Sequence, residues 1–197
     1  MNVRELCRLL SATLRLPGVD RWAEQLVSRE LLPGLDREVC ALDAALVLAA
    51  VVAAPNPEDA PHAVITLAGL SRMSTMCRVP GPEIETWARG TDADRAAMPD
   101  DPLDALATAI EQGPFPDNRF YFVSLKIEES GASAELLGRL GDDLQACRAQ
   151  FYLPDSGLPS GLTRPAEIHG DVIQAIASAM WPAAERVVHD EPTLIIH

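Results

Sequence analysis

Four histidines and four cysteines are the side chains best suited to act as metal ligands, nucleophiles or proton carriers. His62, His169, His189 and His197 lie far apart, and none has a His, Cys or carboxylate pair placed as in a known metal motif. Cys7, Cys40, Cys77 and Cys147 lack the C-x-x-C spacing of a zinc site or a disulfide-dense scaffold. The expectation is free, mostly buried thiols that pack as small hydrophobes. Asp155-Ser156-Gly157 has the composition of a turn and lacks the G-x-S-x-G elbow and a base. Neither a G-x-G-x-x-G nor a G-x-x-x-x-G-K-[ST] phosphate loop is present. No catalytic residue, metal ligand or cofactor is expected, and the chain is not read as an enzyme.

Carboxylates offer a different chemistry. Asp100-Asp101, Asp142-Asp143 and Glu128-Glu129, together with Asp92 and Asp94, form acidic pairs. Such pairs suit three roles: a solvated surface, an imitation of DNA phosphates, or oxygen ligands for Mg²⁺. Sixteen basic residues stand against 29 acidic ones, for a net charge of −13, which argues against a generally basic nucleic-acid coat and against an anionic membrane. The charge is uneven. Residues 1–40 hold six Arg and six acidic residues, whereas residues 41–197 hold ten basic and twenty-three acidic ones. The neutral, Arg-bearing segment is therefore the place to seek a DNA contact. Lys126 is the single lysine, a bias attributed to a GC-rich bacterial or phage genome.

The elements that must carry these residues follow from periodicity. Val3, Leu6, Cys7, Leu10 and Leu14 recur at helical spacing, and Pro17-Gly18 ends the run. A second helix from Val19 to about Leu31 puts Val19, Trp22, Ala23, Leu26 and Val27 on one stripe, so Trp22 is expected to be a buried anchor against the first helix. Its opposite face centres on Arg21, Gln25 and Ser28, with Glu24 and Arg29 at the edges. Leu42 to Ala54 is apolar on nearly every side, which fits either the core of this unit or a dimer seam. Another helix is expected from Pro57 to about Arg72, so that residues 2–75 are helical throughout.

Residues 76–101 read as a connector with a short helical patch at 84–89, followed by a helix over 102–112. Aromatic and β-branched runs then predict strands in RFYFVSLKI, ASAELL and RAQFYL, with a turn at Ser130-Gly131. Pro165 to about Met180 is expected as a helix with Ile168, Val172, Ile173 and Ile176 inward, and TLII as a last strand. The expected class is α+β: a helical unit over 1–75, and an acidic antiparallel meander with one or two helices over 102–197. The longest apolar stretch, Ala44 to Ala54, falls short of the roughly 20 residues that span a bilayer. The N-terminus carries charges within its apolar run and has no signal-peptide core, so a cytoplasmic protein without membrane contact is expected.

The opening helix pair, with Trp22 in its second helix and the phrase Glu30-Leu31-Leu32-Pro33 after it, resembles the MerR-like and excisionase-type helix-turn-helix module over about residues 2–54. In that family an aromatic of the second helix packs on the first, and the phrase reads G-L-L-P; here Glu30 replaces the Gly. LDREVCALDAA leaves little room for the family's usual β-wing. The resemblance implies that Arg21 and Gln25 face base edges, since Arg pairs with guanine and Gln with adenine. Arg15, Ser28 and Arg29 would then contact phosphates. It further implies a bacterial or phage-derived transcriptional regulator that binds duplex DNA, with a C-terminal part that dimerises or meets a protein partner. The competing expectation is a phage interaction protein, either a small-terminase-like packaging component or an acidic DNA-mimic inhibitor of a host defence complex.

Overall fold

The computed structural model describes residues 1–79, 86–112, 120–128, 133–140, 145–153 and 166–180. The expected TLII strand, the Ser130-Gly131 turn and Asp142-Asp143 lie outside the described residues. The class is α+β: N-terminal helices followed by a six-stranded antiparallel sheet packed with helices.

Helix α1 (Val3–Leu14) starts at a capping box in which Asn2 Oδ1 accepts the Glu5 N–H at 3.0 Å and Glu5 Oε2 accepts the Asn2 N–H at 2.8 Å. Its stripe of Val3, Leu6, Cys7 and Leu10 is buried, each aliphatic contributing about 1.5–3 kcal/mol. Helix α2 (Asp20–Ser28) buries Ala23 and Leu26, and Val19 at its N-terminus is buried as well. Helix α3 (Ala41–Ala53) is the centre of the molecule: Ala44, Ala45, Val47, Leu48 and Ala50 are all fully enclosed. Its apolar surface is covered by α2, by α4 (Ala60–Ala68) and by α6 (Pro102–Gln112) of the same chain, which places it in the core rather than at a dimer seam. Leu103, Leu106 and Ile110 of α6 face this core, as their spacing predicts.

The sheet runs in the order β2-β1-β5-β4-β3-β6. Strands β3 (Phe120–Ile127), β4 (Ser133–Leu140) and β5 (Gln145–Tyr152) form the expected meander. In β5, Cys147, Ala149 and Phe151 point into the core while their neighbours are half-exposed, the two-residue alternation of a sheet with one buried face. Helices α3, α6 and α7 (Gly170–Met180) reach β3, and α3 and α7 also reach β6 (Ala166–His169).

Several elements differ from expectation. Residues 2–75 are not wholly helical, because β1 (Ser71–Val79) begins at Ser71. The patch expected as helical at 84–89 carries β2 (Thr86–Arg89), antiparallel to β1, and the short helix follows later as α5 (Asp92–Ala97). Strand β1 pairs because β5 supplies a long backbone edge, and β1 in turn supplies the edge for β2, which overrides their weak strand propensity. Ile168 lies on β6 against Leu125, so α7 starts only at Gly170; Ile173 and Ile176 are inward as predicted.

The thiol expectation is also corrected. Cys77 and Cys147 are direct cross-strand partners of β1 and β5, with Cα atoms 4.1 Å apart, and form a disulfide across 70 residues of sequence. Antiparallel pairing brings opposed side chains within bridging range whatever their sequence separation. Cys7 is free and buried, while Cys40 is free and exposed.

Candidate nucleic-acid interface

Arg15 ends α1 in the left-handed conformation at φ 53°, and Gly18 turns the chain at φ 78° before α2 begins. A residue at Gly18 with φ above zero favours glycine because no Cβ clashes there. The Arg21 side chain lies back over this glycine: a Cβ at Gly18 would stand 3.8 Å from Arg21 Nε. Arg15 and Arg21, both exposed, therefore flank one turn. Gln25 is half-buried, and Ser28 Oγ donates to the Gln25 carbonyl at 2.8 Å. Arg29 is exposed at the opposite end of α2. Thus Arg15 and Arg21 lie on either side of the turn, whereas Arg29 stands about 12 Å from Arg21 along the helix. Asp20 and Glu24 share the exposed side of α2, so its face is mixed in charge.

The far end of α2 closes in a Schellman motif. The Glu30 N–H bonds the Val27 carbonyl at 3.0 Å and the Leu31 N–H bonds the Leu26 carbonyl at 2.9 Å. This geometry needs a left-handed residue after the cap, and Glu30 supplies it at φ 59°. Trp22 is half-buried rather than fully buried, and its indole N–H is donated to Ala54 at the end of α3. No strand lies between Pro33 and α3; the nearest pairing there is an isolated antiparallel bridge between Asn2 and Glu38.

A concave groove of about 730 Å³ runs along the outer side of α1. Arg4, Arg8, Ser11 and Arg15 line it together with Leu35, Pro17 and Asp20. Arg4 Nε pairs with Asp36 at 2.8 Å, and the Arg4 N–H bonds the Leu35 carbonyl at 3.2 Å, which fixes the 34–37 loop against α1. Arg8 and Arg15 form no ion pair with any described residue. Cys7 also borders the groove; burial, reinforced by Asp20 and Glu24 and opposed by Arg4, pushes its thiol up to about 11, so it stays uncharged. Arg4 and Arg8 lie off the apolar stripe that marks α1 in the sequence. Their spacing of 4, 8, 11 and 15, which falls within one narrow helical sector, was the available signal.

No family model, curated protein or solved structure matches the chain.

Asp92, Asp94, Asp100 and Asp101 have local roles, while Glu129 and Asp142-Asp143 lie outside the described residues. Asp94 caps α5 through the Thr91 N–H at 2.8 Å, Asp92 pairs with Arg95, Asp100 pairs with Arg72 at 2.9 Å, and Asp101 Oδ1 accepts the Asp104 N–H at 2.8 Å. Among the described residues no group of three or more His, Cys, Asp or Glu side chains is arranged to hold a metal ion. Among them, too, no helix is long and apolar enough to cross a membrane.

Proposed function

We propose that the chain is a cytoplasmic DNA-binding transcriptional regulator of bacterial or phage origin, docking on duplex DNA through its N-terminal helix pair and acting as a homodimer. The observation that carries this reading is the joining of α1 and α2 by a tight turn flanked by exposed Arg15 and Arg21. These arginines stand in a segment of zero net charge within a chain of −13. The left-handed Glu30, at the position where the resembled family has glycine, supports it. In this proposal Arg21 and Gln25 meet base edges, while Arg15, Ser28 and Arg29 hold phosphates. The body's negative charge opposes approach at long range, but screening beyond about 8–10 Å limits that repulsion.

The test is a gel shift across a library of duplexes at two salt concentrations. Arg21→Ala should weaken the preferred site by about 1–3 kcal/mol and leave non-specific binding nearly intact. Failure of the wild type to bind any duplex at low salt would sink the regulator reading. The second reading, an acidic phage interaction protein, is favoured by the excess of carboxylates in residues 41–197. Light scattering separates its packaging form, a ring of about eight or more copies, from the dimer proposed here.

A further inference from the structure

We propose that the groove along the outer side of α1 seats the phosphate backbone of one DNA strand, with Arg4, Arg8 and Arg15 as its phosphate contacts. This rests on the DNA-binding reading and assigns the backbone to a face of the helix pair other than the exposed side of α2.

Three observations converge. First, Arg4, Arg8, Ser11 and Arg15 form a single row extending about 16 Å along the helix. A linear row of cations fits a linear polyanion better than a compact ion. Second, Arg8 and Arg15 are exposed and form no ion pair with any described residue, so their guanidiniums are open to an anionic ligand. Phosphates entering the groove would give these two cations the partners they lack. Third, the lining combines three arginines and Ser11 with apolar surface from Leu35, Pro17 and Ala12. That combination suits alternating phosphate and sugar. Arg4, though paired to Asp36 through Nε, keeps its terminal guanidinium nitrogens for a second acceptor, because guanidinium carries five donors. Asp20 is the one carboxylate lining the groove, at the end nearest α2, and it opposes a phosphate there.

The experiment is fluorescence anisotropy of the full chain with labelled 20-base-pair duplexes of unrelated sequence, titrated between about 50 and 300 mM salt, a range over which phosphate contacts dominate. The Arg8→Ala/Arg15→Ala double variant should bind every duplex more weakly and lower the slope of log K against log salt by about 1.8, since each phosphate contact contributes about 0.9. Asp20→Asn should tighten binding about threefold at low salt by removing one repulsion near a phosphate. That gain cannot arise from misfolding. An unchanged salt slope in the double variant would overturn the groove while leaving the DNA reading intact. No binding by the wild type would remove both. Complete competition by millimolar dAMP would replace the strand with a compact phosphate site and overturn the proposal.

Discussion

The indole N–H of Trp22 is donated to the Ala54 carbonyl at 3.1 Å, fastening the first turn of α2 to the last residue capping α3. The ring thereby links the helix that faces solvent to the helix at the centre of the core. Trp22→Ala should destabilise the fold by about 3 kcal/mol through lost packing and an unanswered carbonyl. Trp22→Phe keeps most of the packing and should cost about 1 kcal/mol. Urea unfolding distinguishes the two; equal stability of wild type and Trp22→Ala would show that the ring contributes nothing.

Glu30 holds a left-handed conformation that glycine adopts without a Cβ penalty. Glu30→Gly should stabilise the protein by about 0.5–1 kcal/mol, the strain relieved exceeding the entropy gained by the unfolded chain. Glu30→Ala keeps the strain and should leave the midpoint unchanged. A gain with alanine equal to that with glycine would mean that the carboxylate, not the backbone, is responsible.

Reduction of Cys77–Cys147 should lower stability by about 4 kcal/mol, because the bond closes a loop of 70 residues in the unfolded chain. Denaturation with and without a phosphine reductant measures this. In the native oxidised protein Cys40 should react promptly with iodoacetamide at pH 8, while Cys7, buried and held neutral until about pH 11, should react only on unfolding. Prompt labelling of two thiols in the folded state would contradict the burial of Cys7. A cytosolic location predicts that the disulfide is reduced in cells, so trapping thiols at lysis tests location as well.

Asp104 is held above the ordinary carboxylate range by burial and then by Asp101 and Asp100. Its ionised form is thus disfavoured in the folded state, and the folded protein binds the proton more tightly than the unfolded one. The resulting loss of stability is complete above the raised native value and vanishes below the ordinary value of 3.8. Asp104→Asn should accordingly be more stable than wild type at neutral pH, with the difference closing in acid. A pH-independent difference between the two would show that charge is not the cause.

How much was legible from sequence depended on whether a residue's partner was local. The stripes of α1, α2 and α6 and the aromatic β3 announced themselves, since each pattern is completed within one element. Ile168 was misplaced because it continues the helical spacing of Val172, Ile173 and Ile176; only its register opposite Leu125 makes it a strand residue. Strand β1 was hidden because Ser71, Arg72, Ser74 and Thr75 carry no aliphatic alternation, and its strand state is imposed by β5. The disulfide is non-local in the same way. At the candidate interface, Arg15 and Arg21 were visible as exposed cations, but the concavity that gathers Arg4 and Arg8 depends on the 34–37 loop folding back onto α1.

The placement of β1 beside β5 has a consequence during synthesis. A ribosome adding about 5–20 residues per second emits β1 some 4–14 s before the strand that will cover its open side. Through that interval the hairpin of β1 and β2 presents a row of unpaired backbone groups to every neighbouring nascent chain. Arg72, Arg78 and the serines of β1 make that waiting edge a poor template for stray pairing. The polar composition that disguises the strand therefore also protects the chain before its sheet is complete.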